Sequence, residues 1–225
     1  MTIGPGLSAA LVSTRSEYDH LFSIYVPIAL GVMAVIVIVM FGVALIYRRR
    51  PPDRAARWHE QHLVEGTYAV ILAGVVAFLL WETFTAEHRV DVVANHERGG
   101  VTIDVRASRW EWTFYYPRYR ITVHSGYSGP GTFVVPVDQP VHLRLSSVDV
   151  IHAFWIPALR YKHDNIPGST QEVTLTFASP GAFLGQCAEY CGYAHSEMTF
   201  NARAVSGARF AAWAAAHAGG GRPRS

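Results

Sequence analysis

The feature that most limits what this chain can fold into is a stretch without a single charge, residues 21–47, "LFSIYVPIALGVMAVIVIVMFGVALIY". At about 1.5 Å of rise per residue, a helix over it exceeds the roughly 30 Å hydrocarbon layer of a bilayer. A cleaved secretion signal is the competing account. Signals of that kind have apolar segments of about 7–15 residues behind a basic start, whereas the acidic "SEYDH" precedes this one. The stretch is therefore expected to remain as a membrane helix. Composition agrees, since 16% of residues are charged against about 25% in soluble domains.

Five arginines follow between Arg48 and Arg57. A second apolar run, "GTYAVILAGVVAFLLW" at residues 66–81, is short for a span. Extended to residues 63–84 it takes in Glu65 and Glu82 near its ends. Two such helices predict a transmembrane hairpin in the lipid bilayer, and a soluble protein with two buried helices fits the first run poorly. The positive-inside rule puts the arginine-rich loop in the cytoplasm, with both termini and everything after about Glu87 outside. The expected home is a plasma membrane of the bacterial type, with residues 1–86 forming the anchor and residues 87–225 the extracytoplasmic head.

The head reads as β structure. "GVTIDVRA", "RWEWTFYY", "RYRITVHS", "GTFVVPV", "PVHLRLSS" and "QEVTLTFAS" are rich in Val, Thr and aromatics, with Gly, Pro and Ser between them. Their spacing is that of an all-β sandwich or barrel. "SGARFAAWAAAH" predicts a closing helix with Ser206 as its N-cap. The net charge of +2 and the absence of a basic, aromatic-interleaved cluster give no reason to expect nucleic acid.

Both cysteines of the chain, Cys187 and Cys191, lie in "GQCAEYCGYAHSEM", followed by His195 and Met198. Outside a membrane two cysteines ordinarily mean a disulfide. A bridge over three intervening residues would close a tiny loop, constrain the unfolded chain little and leave His195 and Met198 without a purpose. Zinc takes Cys and His but has little use for a thioether. Thiolate, imidazole and thioether together suit copper, with a further imidazole drawn from upstream. His152 in "DVIHAFWIPAL" offers it, at the end of an expected strand. His124, His142 and His163 are expected to be surface or hydrogen-bonded residues. Residue spacing by itself does not decide between one metal ion and two.

At these residues the chain resembles subunit II of haem–copper cytochrome c oxidase. "DVIHAFWIPAL", "HDNIPG" and "GQCAEYCGYAHSEM" follow that family's pattern in order, and the helical hairpin and β head match its plan. The resemblance implies a two-helix transmembrane hairpin followed by a cupredoxin-like Greek-key domain carrying the dinuclear CuA centre. It further implies that Cys187 and Cys191 bridge two coppers, each capped by one of His152 and His195. Met198 would be a weak ligand of one copper and the Glu189 carbonyl of the other, while the Glu189 carboxylate would contribute to a Mg2+ site shared with subunit I. Electrons would arrive from a c-type cytochrome at Trp110 in "SRWEWTFYY", with Trp112 packing the core. They would leave from His195 towards haem in subunit I, with Asp164 near that interface and subunit III a further partner.

Two departures stand out. In place of the acidic residues that often follow the aromatic run, this chain has Arg118 and Arg120, which favours a less basic donor or docking on another face. Glu65 matches a family glutamate that helps admit protons, but the neighbouring Trp-Thr and Pro are missing, so a solvated helix flank is an equal account. The implied function is electron transfer to an oxidase that reduces O2 to water and translocates protons, the oxygen site lying in subunit I. The alternative is the CuA subunit of a nitric oxide reductase. A copper-free subunit of the quinol oxidase kind is opposed by the intact set of ligands. No Cys-x-x-Cys-His occurs, so no fused c-type haem is expected.

Overall fold

The computed structural model describes residues 14–48, 61–96 and 99–219. Most of the arginine-rich stretch, residues 49–57, lies outside them. The chain divides into two compact units, one comprising Tyr18–His88 and the other Arg89–Ser225 with Met1–Glu17.

The first unit consists of α1 (Thr14–Tyr47) and α2 (His62–His96), the latter running past the unit's end. The most apolar 18-residue windows of Ser16–Tyr47 and His62–Arg89 have mean hydropathies of 3.0 and 2.1, and no residue of either window is buried by protein. Naked apolar helices of this length are stable in lipid and not in water, so the chain is a membrane protein with two spans. Both helices are longer than the expected 21–47 and 63–84. Hydropathy marks only the part that crosses hydrocarbon, whereas the backbone ladder continues through polar flanks made of helix formers such as Glu87 and Arg89. Within the unit the Tyr25 hydroxyl of α1 donates to the Leu79 carbonyl of α2 at 2.8 Å and touches Thr83. In lipid such a hydroxyl needs a protein partner, and this one ties the two helices together.

The second unit is a sandwich of ten strands with a terminal helix. One sheet has the order β3 (Ile121–Gly126), β2 (Glu111–Tyr116), β1 (Val101–Ser108), β5 (Pro140–Ser147), β8 (Gln171–Thr176). The other has the order β4 (Thr132–Pro136), β10 (Thr199–Val205), β9 (Gly181–Cys187), β6 (His152–Ile156), β7 (Tyr161–Asn165). Pairing is antiparallel except between β1 and β5 and between β4 and β10. Val101, Ile103, Val105 and Ala107 of β1 and Val141, Leu143 and Leu145 of β5 all face inward, as the period of two requires. The sheets meet in an aromatic core. Phe114 stacks on Phe133 at 4.3 Å, Phe154 on Phe200 at 4.8 Å, and Trp112 meets Phe200 edge-on at 5.4 Å.

The six strands read from the sequence correspond to β1–β5 and β8. Strands β6, β7 and β9 lack the alternating signal, whereas β10 alternates, burying Phe200, Ala202 and Ala204, and was not read. β6 is buried on both faces and β7 is polar after Tyr161. β9 carries Gly185 because a Cβ there would fall 2.0 Å from the Phe200 ring. His152 opens β6, a correction to its expected place at the end of a strand. The closing helix α3 (Gly207–His217) begins as expected, with the Ser206 side chain accepting from the Arg209 N–H.

Candidate metal centre

Four elements converge at one end of the sandwich. β6 supplies His152, and the last residue of β9 is Cys187. The connecting loop carries Cys191, a single helical turn (His195–Glu197) carries His195, and Met198 stands immediately before β10. Backbone bonds clamp the loop: the Cys187 N–H donates to the Met198 carbonyl at 3.0 Å and the Ala188 N–H to the Ala153 carbonyl at 3.0 Å. Gly192, with φ of +116°, turns the chain back so that the His195 N–H reaches its carbonyl at 3.2 Å. Side chains rarely tolerate that backbone region.

The donor atoms gather tightly. Cys187 Sγ lies 3.8 Å from Cys191 Sγ and 3.7 Å from His152 Nδ1, and Cys191 Sγ lies 3.5 Å from His195 Nδ1. Met198 Sδ is 3.9 Å from Cys191 Sγ, and the Glu189 carbonyl is 3.3 Å from Cys187 Sγ. His152 and Met198 are fully buried, and the cysteines are 4% exposed. Both cysteines are free, their sulfurs well beyond the roughly 2.05 Å of a disulfide. Two thiols, two imidazoles, a thioether and a carbonyl exceed what one tetrahedral zinc takes. By the chemistry of its thiol, imidazole and thioether donors, the set fits a soft metal such as copper.

The protein prepares these donors electrostatically. Asp149, three residues before His152, accepts a hydrogen bond from His152 Nε2 at 2.9 Å, which leaves Nδ1 facing the sulfurs. Burial opposes its charge, but hydrogen bonds from His152 and from the Arg109 and Val150 N–H groups prevail and hold Asp149 at about 2. Burial likewise works against protonated His152, yet its contacts with Cys187 and Asp149 raise its pKa. Burial pushes both thiols up. At Cys187 it is overcome by hydrogen bonds with His152 and the Glu189 and Ala153 backbone, giving about 7. At Cys191 burial and the neighbouring charge of Cys187 act together, pushing it up to about 12.

A metal that binds both thiolates must therefore displace fewer thiol protons at pH 8 than at pH 6. The change falls as Cys187 ionises near 7, and any proton on His152 adds in the same direction. Calorimetry of metal loading in buffers of different ionisation enthalpy measures this count, and a release independent of pH between 6 and 8 contradicts it.

The other expected residues fall as follows. Trp112 is fully buried and donates from Nε1 to the Met198 carbonyl at 3.2 Å. Trp110 is half-buried, lies against Gly192 and donates from Nε1 to the Cys191 carbonyl at 3.2 Å. Its ring meets that of Tyr193, itself 87% exposed, edge-on at 6.2 Å. The Glu189 carboxylate lies 3.7 Å from Lys162 Nζ, which also lies 3.6 Å from Asp164. Glu65 sits in the first turn of α2 and accepts from the Gln61 N–H at 3.5 Å. His124 bonds Glu111, His142 bonds Thr174 and the Gly99 carbonyl, and His163 bonds the Asp164 carbonyl. Asp149 stands in the motif "DVIHAFWIPAL" and Arg109 in "SRWEWTFYY", but the sequence assigned neither a role, although an acid three residues before a metal-type histidine was a usable signal.

A sequence model of the family described as cytochrome C oxidase subunit II, periplasmic domain, matches residues 127–205. A cytochrome c oxidase subunit 2 from Alkalihalophilus pseudofirmus is 31% identical over 205 residues, covering 87% of this chain and 57% of the relative. Another from Synechocystis sp. is 37% identical over 116 residues, covering 52% of this chain and 33% of the relative. The matched region thus spans 57% or less of the length of these curated relatives. The periplasmic domain of subunit II of cytochrome oxidase from Bradyrhizobium japonicum is 33% identical. That match covers 52% of this chain and 92% of that domain, with a TM-score of 0.49. The family's periplasmic domain is thus matched across the segment that carries Cys187, Cys191, His195 and Met198, and over 205 residues the chain is similar to a cytochrome c oxidase subunit 2.

Proposed function

We propose that this chain is the electron-transferring subunit of a respiratory oxidase, accepting electrons one at a time from a c-type cytochrome. It hands them to haem in subunit I, where O2 is reduced to water and protons are translocated. The single observation that carries the reading is the pair of buried thiols 3.8 Å apart, one facing the imidazole of His152 and the other that of His195. Cys187, Cys191, His152, His195, Met198 and the Glu189 carbonyl would hold a copper pair, which would supply a one-electron couple. The surrounding sandwich holds these donors still and keeps water away, so little needs to move when charge arrives.

Trp110 is the point where electrons enter, supported by its partial exposure and its indole hydrogen bond to the Cys191 carbonyl. His195, less buried than His152, is the exit towards subunit I, with Asp164 beside that interface and subunit III completing the assembly. Glu189 contributes one carboxylate to a Mg2+ site shared with subunit I. This chain alone does not form the oxygen cage that Mg2+ demands, because Lys162 occupies the space between Glu189 and Asp164. The remaining oxygens come from the partner, and Lys162 gives way. The head, residues 87–225, lies outside the plasma membrane, with the arginine-rich loop between the anchoring helices of residues 1–86 in the cytoplasm. Glu65 is a place for proton uptake on that side.

Copper-loaded full-length protein, oxidised and examined by EPR, tests the reading. One unpaired electron shared by two copper nuclei gives seven hyperfine lines. A four-line spectrum, a protein holding only zinc, or a cystine at 187–191 overturns it.

A further inference from the structure

Arg109 precedes Trp110 and reaches the metal centre by a second route. Its backbone N–H donates to Asp149 Oδ2 at 2.8 Å and its side-chain Nε to the same oxygen at 3.3 Å. The other oxygen, Oδ1, accepts from the Val150 N–H at 2.7 Å and from His152 Nε2 at 2.9 Å. Exposure falls steeply along this relay. The side chains of Arg109, Asp149 and His152 are 52%, 22% and 0% exposed. A charge at the surface is therefore two contacts from the atom of His152 that faces Cys187.

We propose that Arg109 is a positioning residue that raises the reduction potential of the metal centre by competing with His152 for the Asp149 carboxylate. The inference rests on the copper reading above. An unshared carboxylate pulls on the Nε2–H of His152 and makes the imidazole a stronger donor, which favours the oxidised, more positive centre. Sharing the carboxylate with a guanidinium weakens that pull, and the guanidinium's own charge favours an added electron. Both effects have the same sign. The step is a single-electron gain with no proton moved, since the guanidinium stays charged throughout. Because Arg109 is half-exposed, salt screens part of its influence.

The design permits a clean test. In Arg109→Gln the backbone N–H still holds Asp149, so the variant loses the charge and keeps the loop's main anchor. Copper-loaded full-length wild type, Arg109→Gln and Arg109→Lys are titrated against a redox mediator at low and high salt, with EPR recorded on each. The expected result for Arg109→Gln is a one-electron equilibrium shifted roughly two- to fivefold towards the oxidised form, where tenfold would be about 59 mV. The hyperfine pattern should be unchanged, Arg109→Lys should regain most of the shift, and high salt should bring the wild type towards the glutamine variant. Equal equilibria for wild type and Arg109→Gln overturn the proposal. So does a lysine variant no better than glutamine, or a shift accompanied by a changed hyperfine pattern, since either makes the role one of shape. If the wild type lacks the seven-line signal, the copper reading itself has failed. If the signal is present and the potentials coincide, only the role of Arg109 has.

Discussion

If the proposed copper pair is held here, Cys191→Ser is expected to bind one copper instead of two, and the expected seven-line EPR spectrum to collapse to four. A serine hydroxyl does not ionise near neutral pH and offers a hard oxygen, so it cannot stand as a second soft bridge. His152 and Cys187 still face each other at 3.7 Å and can hold a single ion. His195 loses the sulfur that it faced at 3.5 Å. Removing one member of a buried, mutually compensating set costs about 3–5 kcal/mol. Serine is close to cysteine in size, so the sandwich survives, and circular dichroism of the variant should match the wild type. Copper analysis beside EPR decides the matter. Two coppers and seven lines in the variant would mean that Cys191 is not a bridge.

Trp110→Leu has the second-largest effect, and its signature differs. The indole lies against the turn at Gly192 and bonds the Cys191 carbonyl at 3.2 Å, yet it donates no atom to the metal set. Leucine keeps an apolar surface while removing both the conjugated ring and the N–H. A tryptophan at the centre of a contact carries about 2–4 kcal/mol. Donor kcat/KM is therefore expected to fall roughly 30- to 1,000-fold, with copper content and EPR unchanged. The parallel change at Trp112 acts on another link of the chain of causes. Its ring is fully buried among Phe154, Phe200 and His152, so truncation to alanine costs about 3–5 kcal/mol of stability and disturbs the site only by loosening its floor. Stopped-flow reduction by a c-type cytochrome, set beside thermal unfolding, separates the two tryptophans. Loss of the EPR signal in Trp110→Leu would make this residue part of the scaffold.

These two tryptophans also mark how far the sequence could be read. They stand two apart in one aromatic run, so strand periodicity puts them on the same face of β2 and its edge. Alternation alone does not say that one is enclosed by the second sheet while the other passes its rim. β1, β2 and β5 were legible because every second residue is buried, whereas β4, buried from Phe133 to Pro136, was legible from its Val and Phe content. β6 and β9 were not, since a strand buried on both faces, or stripped to glycine where a phenylalanine crosses it, has no period of two to detect. The same limit governs the second shell of the metal centre. Arg109 and Asp149 are forty positions apart and meet only because the Ala107 carbonyl at the end of β1 accepts from the Val148 N–H just beyond β5.

Local order in the chain determined the two apolar helices, the cap at Ser206 and the donor set of His152, Cys187, Cys191, His195 and Met198. Hydropathy, capping chemistry and ligand type are properties of neighbouring residues. The tertiary structure alone decided that His152 turns Nδ1 to the sulfurs, that the two thiols ionise far apart, that Trp110 touches the Cys191 carbonyl, and that Lys162 stands between Glu189 and Asp164. Each of those depends on distances between strands remote in sequence. Burial and Coulomb interaction act through space, and only the folded sandwich sets those separations.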